Sequence, residues 1–479
     1  MNLDAMRGGL RLDAHKERST RMPIRLASVP GELIVPLDQH AGTAAVACVS
    51  PGERVLRGQP IARPGAQLSA WIHAPVSGTV VAIEPRPVAH VGAPCACIVI
   101  ANDGRDERYA HEPVDAMTLT PAALCEHIGR GGIVGLGGAT FPTATKLFEA
   151  ATHDDMHLLL NGAECEPWIS CDDMLMRERA ADILFGARVL MRAVNAARCT
   201  IALEDDAPQA LQALQQAQGG SDIQIVVVPS VYPAGGERQL IRTLTGREVP
   251  TGGLPTDIGV ICQNVGTAAA VARWIRDAEP LISRIVTITG SAVREPSNLE
   301  ARLGTPIATL IEDCGGYEHD ALQLIVGGTM MGLSFGTDSA PVVKATNCVI
   351  AATAADLQPR GMEMPCIRCG NCSEVCPAFL LPQQLHWLAR VHDVPALDAL
   401  GLADCIECGC CDYVCPSQIP LTQRFRESKP EVLAHIAART QANAARARFE
   451  AREERLARLE REQRARLEEK RRQLTGRKS

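Results

Sequence analysis

Over the first hundred residues the apolar positions come in short β-branched runs closed by Gly and Pro, with no helical period: 31–36, 43–48, 55–58 and 78–83. That punctuation predicts a small all-β unit over residues 20–112. From 113 to 282 the pattern becomes mixed. Apolar runs at 157–160, 223–228 and 258–262 read as strands, while 180–197 and 208–216 carry apolar residues at helical spacing. The alternation predicts an α/β layer domain. Residues 283–340 read as a small α+β unit, with strands at 284–289 and 322–327 and a helix over 305–314 that Thr305 would cap. Residues 341–355 read as an apolar connector, 356–425 are cysteine-rich, and 426–479 read as a charged helical tail. In that tail Leu456, Leu459, Leu467 and Leu474 recur at spacings of three, eight and seven. The fold class is therefore multidomain α/β and α+β.

Composition narrows the function classes. A chain of 479 residues predicts three or four domains, and 46% hydrophobic with 22% charged residues makes it globular. Aromatics at 3% exclude extended base-stacking platforms, and a net charge of −7 argues against nucleic acid as a partner. From 441 onward the chain carries 13 Lys/Arg against 7 Glu, a net +6, which leaves −13 for the rest. A solvated charged helix accounts for this tail; contact with an anionic lipid surface or an acidic partner subunit is the functional alternative. The first 25 residues show no apolar signal core, and no run of about 18 apolar residues would span a membrane. Nineteen cysteines in a reducing setting point to metal rather than disulfides.

Within the β unit, Pro51-Gly-Glu-Arg-Val55 through Gly58-Gln-Pro-Ile-Ala62, then His73-Ala-Pro-Val-Ser-Gly-Thr-Val80, resembles the barrel-sandwich hybrid of lipoyl and biotinyl carriers. Those carriers hold a modifiable lysine between their halves. Here none lies between Lys16 and Lys146, which leaves a structural or docking module.

The strongest chemical signal is a doubled cysteine run. Cys366, Cys369, Cys372 and Cys376-Pro377 form C-x2-C-x2-C-x3-C-P, and Cys405, Cys408, Cys411 and Cys415-Pro416 repeat it. Three thiolates on a short loop reach three irons of one cubane, and the displaced fourth, before Pro, ligates the other cluster. Two [4Fe–4S] clusters are therefore expected, one on Cys366, Cys369, Cys372 and Cys415, the other on Cys405, Cys408, Cys411 and Cys376. Zinc would need one set of four ligands rather than two interlocked runs. The 28 residues between the runs include a helical segment, so the unit reads as a helix-rich ferredoxin insert. Cys410 reads as a spare thiol, and the other ten cysteines as buried free thiols.

Paired clusters carry single electrons and need a donor or acceptor site. The candidate is the glycine-rich stretch 129–146, where close backbone approach, a following helix and Lys146 could hold a phosphate. It is not a Rossmann fingerprint, because Ile133-Val134 interrupt its glycines and it runs into Phe-Pro. Gly137-Gly-Ala-Thr-Phe-Pro-Thr-Ala-Thr-Lys146 resembles the flavin and nicotinamide loop of the NADH-oxidising subunit of respiratory complex I. Asn161-Gly-Ala-Glu-Cys-Glu-Pro167, Ala234-Gly-Gly-Glu-Arg238 and Gln263-Asn-Val-Gly-Thr267 resemble three later segments of that family in the same order. With the barrel-sandwich unit before it and the two-cluster ferredoxin behind, residues 20–425 are similar to the C subunits of Rnf complexes, the ion-translocating ferredoxin:NAD oxidoreductases.

The resemblance implies a complex-I-like FMN/NADH domain over 113–282 and a soluble-ligand-binding β-grasp domain over 283–340. It also implies roles. Gly135, Gly137 and Gly138 would line FMN, Lys146 would meet its phosphate, Phe141 would stack on a ring, and Asn161 and Asn264 would bond the ring or ribityl chain. Glu164 and Glu166 would orient flavin and nicotinamide as the catalytic pair, with Glu237 beside the cofactor. Thr140 stands where complex I has glycine, and Glu237 stands alone where complex I has two Glu. The expected function is a peripheral redox subunit on the cytoplasmic side of the bacterial inner membrane. It would pass electrons between NAD(H), through FMN and two [4Fe–4S] clusters, and membrane subunits of the same complex. The alternatives are a diaphorase subunit of a soluble hydrogenase or formate dehydrogenase, and a flavin-free electron-relay scaffold.

Overall fold

The computed structural model describes residues 6–65, 68–89, 94–153, 155–220, 222–357 and 361–475, the last three by backbone alone. Residues 476–479 of the charged tail, and the side chain of Leu474, lie outside them. Near the N-terminus β1 (Arg25–Leu26) leaves the local unit and pairs with a distant sheet. The β unit follows as two small sheets. One has the order β2-β8-β7-β4 (β2 Glu32–Pro36, β4 Arg54–Val55, β7 Gly78–Arg86, β8 Cys95–Asn102); the other has the order β3-β5-β6 (β3 Val46–Ala47, β5 Pro60–Arg63, β6 Ile72–His73). Leu33, Val35, Ile61, Ile72, Val80, Ile98 and Ile100 form the core between them.

The next domain is built on four parallel strands, β9 (His157–Gly162), β10 (Arg198–Glu204), β11 (Gln224–Val228) and β12 (Val260–Asn264), in the order β11-β10-β9-β12. The run 158–160 is apolar throughout because both faces are covered. Leu158 and Leu160 pack with Ile183, Leu184 and Val271 on one side, from α4 (Ala180–Ala193) and α7 (Val265–Asp277). Leu159 packs with Leu240, Ile241 and Leu244 of α6 (Glu237–Thr245) on the other. Also here are α1 (Pro121–Arg130), α2 (Thr143–Ala150), α3 (Cys171–Glu178) and α5 (Pro208–Gln218). The chain enters the sheet at β9, adds β10 and β11 on one side and returns to add β12 on the other. The strand order reverses between β9 and β12, and in open parallel sheets ligands occupy the crevice at such a switch point, beyond the strands' carboxyl ends.

The α+β unit is larger than its sequence pattern indicates. Its sheet has six strands in the order β1-β14-β13-β17-β15-β16, with β13 (Ser283–Thr289), β14 (Ser297–Arg302), β15 (Gln323–Val326), β16 (Leu333–Phe335) and β17 (Cys348–Ala352). Residues 348–352, which read as connector, form an inner strand between β13 and β15, and all five are buried. Their unbroken apolar character is what a strand covered on both faces requires. The helix α8 begins at Ile307 and ends at Asp313, with Pro306 rather than Thr305 at its N-cap position and no side-chain cap.

The cysteine-rich segment holds α9 (Asn371–Glu374), α10 (Pro382–Arg390), α11 (Val394–Ala399) and α12 (Cys410–Tyr413). The tail is one helix, α13 (Leu421–Thr475), which starts inside this domain: Leu421, Phe425 and Val432 pack with Leu385, Leu397 and Leu402. Beyond that core Phe449, Leu456, Leu459 and Leu467 are exposed. No helix among the described residues is long and apolar enough to cross a membrane.

Candidate functional site

The glycine-rich segment links α1 to α2 and closes over the crevice between β9 and β12. Ideal Cβ atoms show how near it lies: one on Gly137 would stand 3.5 Å from the Asn264 side chain, and one on Gly135 3.7 Å from Phe141 N. Gly138 has φ +109°, open to glycine alone, and its added Cβ would meet nothing within 4 Å. Thr140 sits at φ 46°. A β-branched residue is strained there, by about 1–3 kcal/mol, and its carbonyl is held by the Ala41 amide of the β unit at 3.1 Å. This is the position where the resembled family has glycine, and the backbone conformation explains that preference.

The loop answers directly whether a phosphate-bearing flavin suits the crevice. Among the described residues, the amides of Gly137, Gly138, Ala139 and Thr140 donate to no protein acceptor. Residues 137–139 are exposed. A run of unpaired N–H groups leading toward the N-terminus of α2 is a ready anion cradle. Lys146, in the first turns of α2, pairs with Glu237 at the start of α6 and donates to the Cys262 carbonyl at 2.7 Å. Phe141 is half exposed at the loop's end.

The strand ends supply the crevice floor. Asn161, last but one in β9, donates to the Gly235 carbonyl at 2.8 Å and accepts from Ala163 N at 3.0 Å. Asn264, last in β12, accepts from Gly266 N at 2.7 Å, which caps α7, and donates to Asp172 at 2.6 Å. Glu164 is buried and turned toward α3: it accepts from Asp172 N at 3.0 Å, Asp173 N at 3.2 Å and the Cys171 thiol at 3.2 Å. Burial and then the Asp172 carboxylate push its acid up to about 8, against Lys16 and the amide bonds. Glu166 accepts from Met330 N at 3.2 Å and Met331 N at 2.9 Å across the β-grasp boundary, and burial pushes it up to about 7. Gly135, Gly137, Gly138, Lys146, Glu237, Asn161 and Asn264 thus surround one crevice. The carboxylates of Glu164 and Glu166 are engaged beneath and beside it.

Two residues carry no mark in the sequence pattern. Asp172 joins Asn264 to α3 and is pushed up to about 6 by burial, partly offset by Asn264, Arg284 and Lys16. Lys16 lies 3.1 Å from both Glu204 and Asp206; burial works against its charge, and Glu204, Glu164 and Asp206 more than offset that. It belongs to an N-terminal strap. His15 of the strap stacks on Trp168 at 4.4 Å, and Leu10 bridges to Tyr232. A lysine in a polar leader gives no hint of such burial.

The cysteines separate into the two interlocked groups. Cys366, Cys369, Cys372 and Cys415 line one cavity, together with Gln383 and Ile419. Cys376 is absent from that lining. Its thiol is raised first by burial and then by Cys408, and that of Cys405 by burial, then by Cys408 and Cys376. Cys411 is raised by burial and feels Cys408 and Cys405. The two runs repeat their backbone as well: Arg368 and Glu407 both have φ 58°, Gly370 and Gly409 are both left-handed, and Phe379 and Gln418 both have φ 55°. A four-thiol cavity and a second four-thiol group match the needs of two cubanes. Cys410 is buried beside Cys408; of the remaining ten cysteines seven are buried, Cys95 and Cys165 are partly exposed and Cys48 is exposed.

The second group faces the crevice domain. Tyr232 donates to the Cys408 carbonyl at 2.6 Å, and Tyr232, Cys408 and Cys410 pack with Cys165, Met330 and Val375. Cys165 lies between Glu164 and Glu166, so crevice wall and cysteine group share one buried contact. Thr251 to Asp404, Arg242 over the Phe379 ring and Gly9 N to Val375 O complete the junction.

Comparison with known proteins matches this layout domain by domain. Residues 4–105 match the RnfC barrel sandwich hybrid domain, 128–273 the Nuo51 FMN-binding domain, 285–334 the SLBB domain and 365–419 the 4Fe-4S dicluster domain. The cofactors of the chain are accordingly FMN and [4Fe–4S] clusters. The C subunit of the ion-translocating oxidoreductase complex of Pseudomonas aeruginosa is 49% identical over 96% of this chain and 59% of its own length. Its counterparts in Erwinia tasmaniensis and Vibrio cholerae are 45% identical, over 96% and 95% of this chain and 57% and 59% of theirs. The chain therefore spans about three fifths of the length of these relatives. Among solved structures, NAD+-reducing [NiFe]-hydrogenase in the air-oxidized state aligns at a TM-score of 0.44, with 19% identity over 59% of each chain. In sequence along nearly its whole length, and in the order of its four matched domains, the chain belongs to the family of C subunits of ion-translocating oxidoreductase complexes.

Proposed function

We propose that this chain is the peripheral redox subunit of an ion-translocating complex, passing electrons between NAD(H) and membrane partner subunits through FMN and two [4Fe–4S] clusters. The observation that carries the reading is the buried contact through Tyr232, Cys165 and Met330 between the crevice and the Cys405, Cys408, Cys411 and Cys376 group. A bound flavin supplies the exchange between a two-electron hydride and single electrons.

The chain's residues make that exchange possible. The amides of Gly137, Gly138 and Ala139 receive the phosphate, with Lys146 as its counter-charge. Gly135 lets the loop close, and Asn161 and Asn264 would bond the ring or ribityl chain at the strand ends. Phe141 offers a face to a ring at the open side. Glu164 fixes α3, which holds Asn264 through Asp172, and Glu166 locks the floor to the β-grasp domain. Cys366, Cys369, Cys372 and Cys415 hold the cluster farther from the crevice, and the second group holds the nearer one. The chain works on the cytoplasmic side of the bacterial inner membrane, attached through its partner subunits.

Composition tests this reading. After anaerobic reconstitution, each chain is expected to retain one FMN and iron and sulfide for two cubanes. Iron for two cubanes without FMN at micromolar flavin would favour a relay without flavin. Iron for one cubane would overturn the ligand assignment.

A further inference from the structure

The inner face of the glycine loop is open, but its outer face is gripped by other domains. Lys344, fully buried just before β17, donates from Nζ to the Gly132 carbonyl at 2.7 Å and the Trp71 carbonyl at 2.8 Å. Arg284, buried in β13, donates to the Leu136 carbonyl at 3.1 Å and to the Lys344 carbonyl. The loop is pinned from the β unit as well. A Cβ on Gly132 would stand 2.6 Å from the Trp71 carbonyl and 3.1 Å from His73 Nδ1, and Ala41 N holds the Thr140 carbonyl.

The consequence follows from the planar trans peptide. Its C=O and N–H point in opposite directions, so fixing one aims the other. The carbonyl of Leu136 and the amide of Gly137 belong to one peptide unit. Drawing that carbonyl outward onto the Arg284 guanidinium turns the Gly137 N–H toward the crevice. The carbonyl of Thr140 and the amide of Phe141 are related in the same way through Ala41. Arg284 also acts on Asp172, the partner of Asn264, so one side chain bears on both walls of the crevice.

We propose that Arg284 and Lys344 are positioning residues for the flavin: the β-grasp sheet and the segment leading into its inner strand hold the loop so that its amides converge on the phosphate. Neither touches the crevice itself. Among the described residues no carboxylate acts on Lys344, and burial alone pulls it down to about 7. A buried cation without a counter-ion is costly, and here it meets two carbonyls, one of them in the loop. Its charge also bears on buried His73 and His40.

The inference rests on the proposed seating of FMN against the glycine loop, and the test separates the two. Apoprotein is titrated with FMN by flavin fluorescence quenching, and hydrogen exchange over residues 133–142 is followed without flavin. Arg284→Lys keeps the charge but loses the planar fork that reaches two carbonyls; Lys344→Gln keeps a neutral donor on a shorter stem. Each is expected to weaken FMN about tenfold, the scale of one charge-assisted hydrogen bond. Exchange should quicken within 133–142 while the ferredoxin domain keeps its protection and iron, and the visible circular dichroism of bound FMN should change. Thr337→Ala, in the loop after β16 where the hydroxyl bonds to Ser339, should bind FMN as wild type does. Folded variants with wild-type flavin affinity and loop exchange would overturn the inference. So would a uniform rise in exchange across all domains, the mark of a merely structural role. Wild-type apoprotein that binds no FMN would overturn the FMN proposal instead.

Discussion

Replacing Cys376 with Ser is expected to abolish the cluster held by Cys405, Cys408 and Cys411 while sparing the one held by the other three cysteines of its own run. In sequence Cys376 belongs with Cys366, Cys369 and Cys372. In space those three share their cavity with Cys415, and Cys376 acts on Cys405. A cubane deprived of one of four thiolates loses stability or converts to a three-iron form, since the thiolates are its attachment to the chain. Electron paramagnetic resonance of the dithionite-reduced protein reads this directly. The expected spectrum keeps one [4Fe–4S] signal and loses the magnetic coupling between two. The reciprocal variant, Cys415→Ser, should remove the other signal. Loss of the cluster of its own run in each variant would show that the runs are independent.

Lys146→Glu is expected to lower FMN affinity by at least about tenfold, with cluster iron unchanged. In the wild type the ammonium lies between Glu237 and the Cys262 carbonyl at the edge of the crevice. The substitution places a second carboxylate against Glu237 and beside the phosphate that the loop amides would hold. One charge-assisted hydrogen bond is worth about 1.5–3 kcal/mol, and 1.4 kcal/mol is tenfold in affinity. Reduction of the clusters by NADH should disappear, whereas dithionite, which needs no hydride acceptor, should still reduce both. Unchanged flavin content and NADH reduction would make Lys146 a surface lysine and remove this end of the loop from the site.

Much of this was legible where chemistry fixes spacing. The doubled cysteine run was readable because a cubane dictates the reach between thiolates, and three of the four parallel strands because each carries a short apolar run; β10, inside the sheet between β11 and β9, was not read as a strand. What escaped was set by long-range packing. Residues 348–352 read as a connector, since their place inside a sheet depends on pairing with β13 and β15, both distant in the chain. The boundary at 425 cuts through α13, whose first turns carry Phe425 and Val432 into the ferredoxin core. The carboxylates of Glu164 and Glu166 were visible, but not that backbone amides of α3 and of Met330 and Met331 engage them. Lys344 and Arg284 gave no signal at all, because a single cation in an apolar stretch looks the same whether it meets water or two carbonyls. Thr140 lies between: its departure from glycine was readable, and its left-handed backbone shows what the departure costs.

One chain is expected to take a hydride from NADH and deliver single electrons to both of its clusters. Anaerobic titration of the reconstituted protein with NADH, followed by absorbance and electron paramagnetic resonance together, tests this most directly. The flavin band is expected to bleach and cluster signals then to rise at the expense of reduced flavin, with the cluster of Cys376, Cys405, Cys408 and Cys411 in the path. NADH that leaves flavin and clusters oxidised, in protein whose clusters dithionite still reduces, would contradict it.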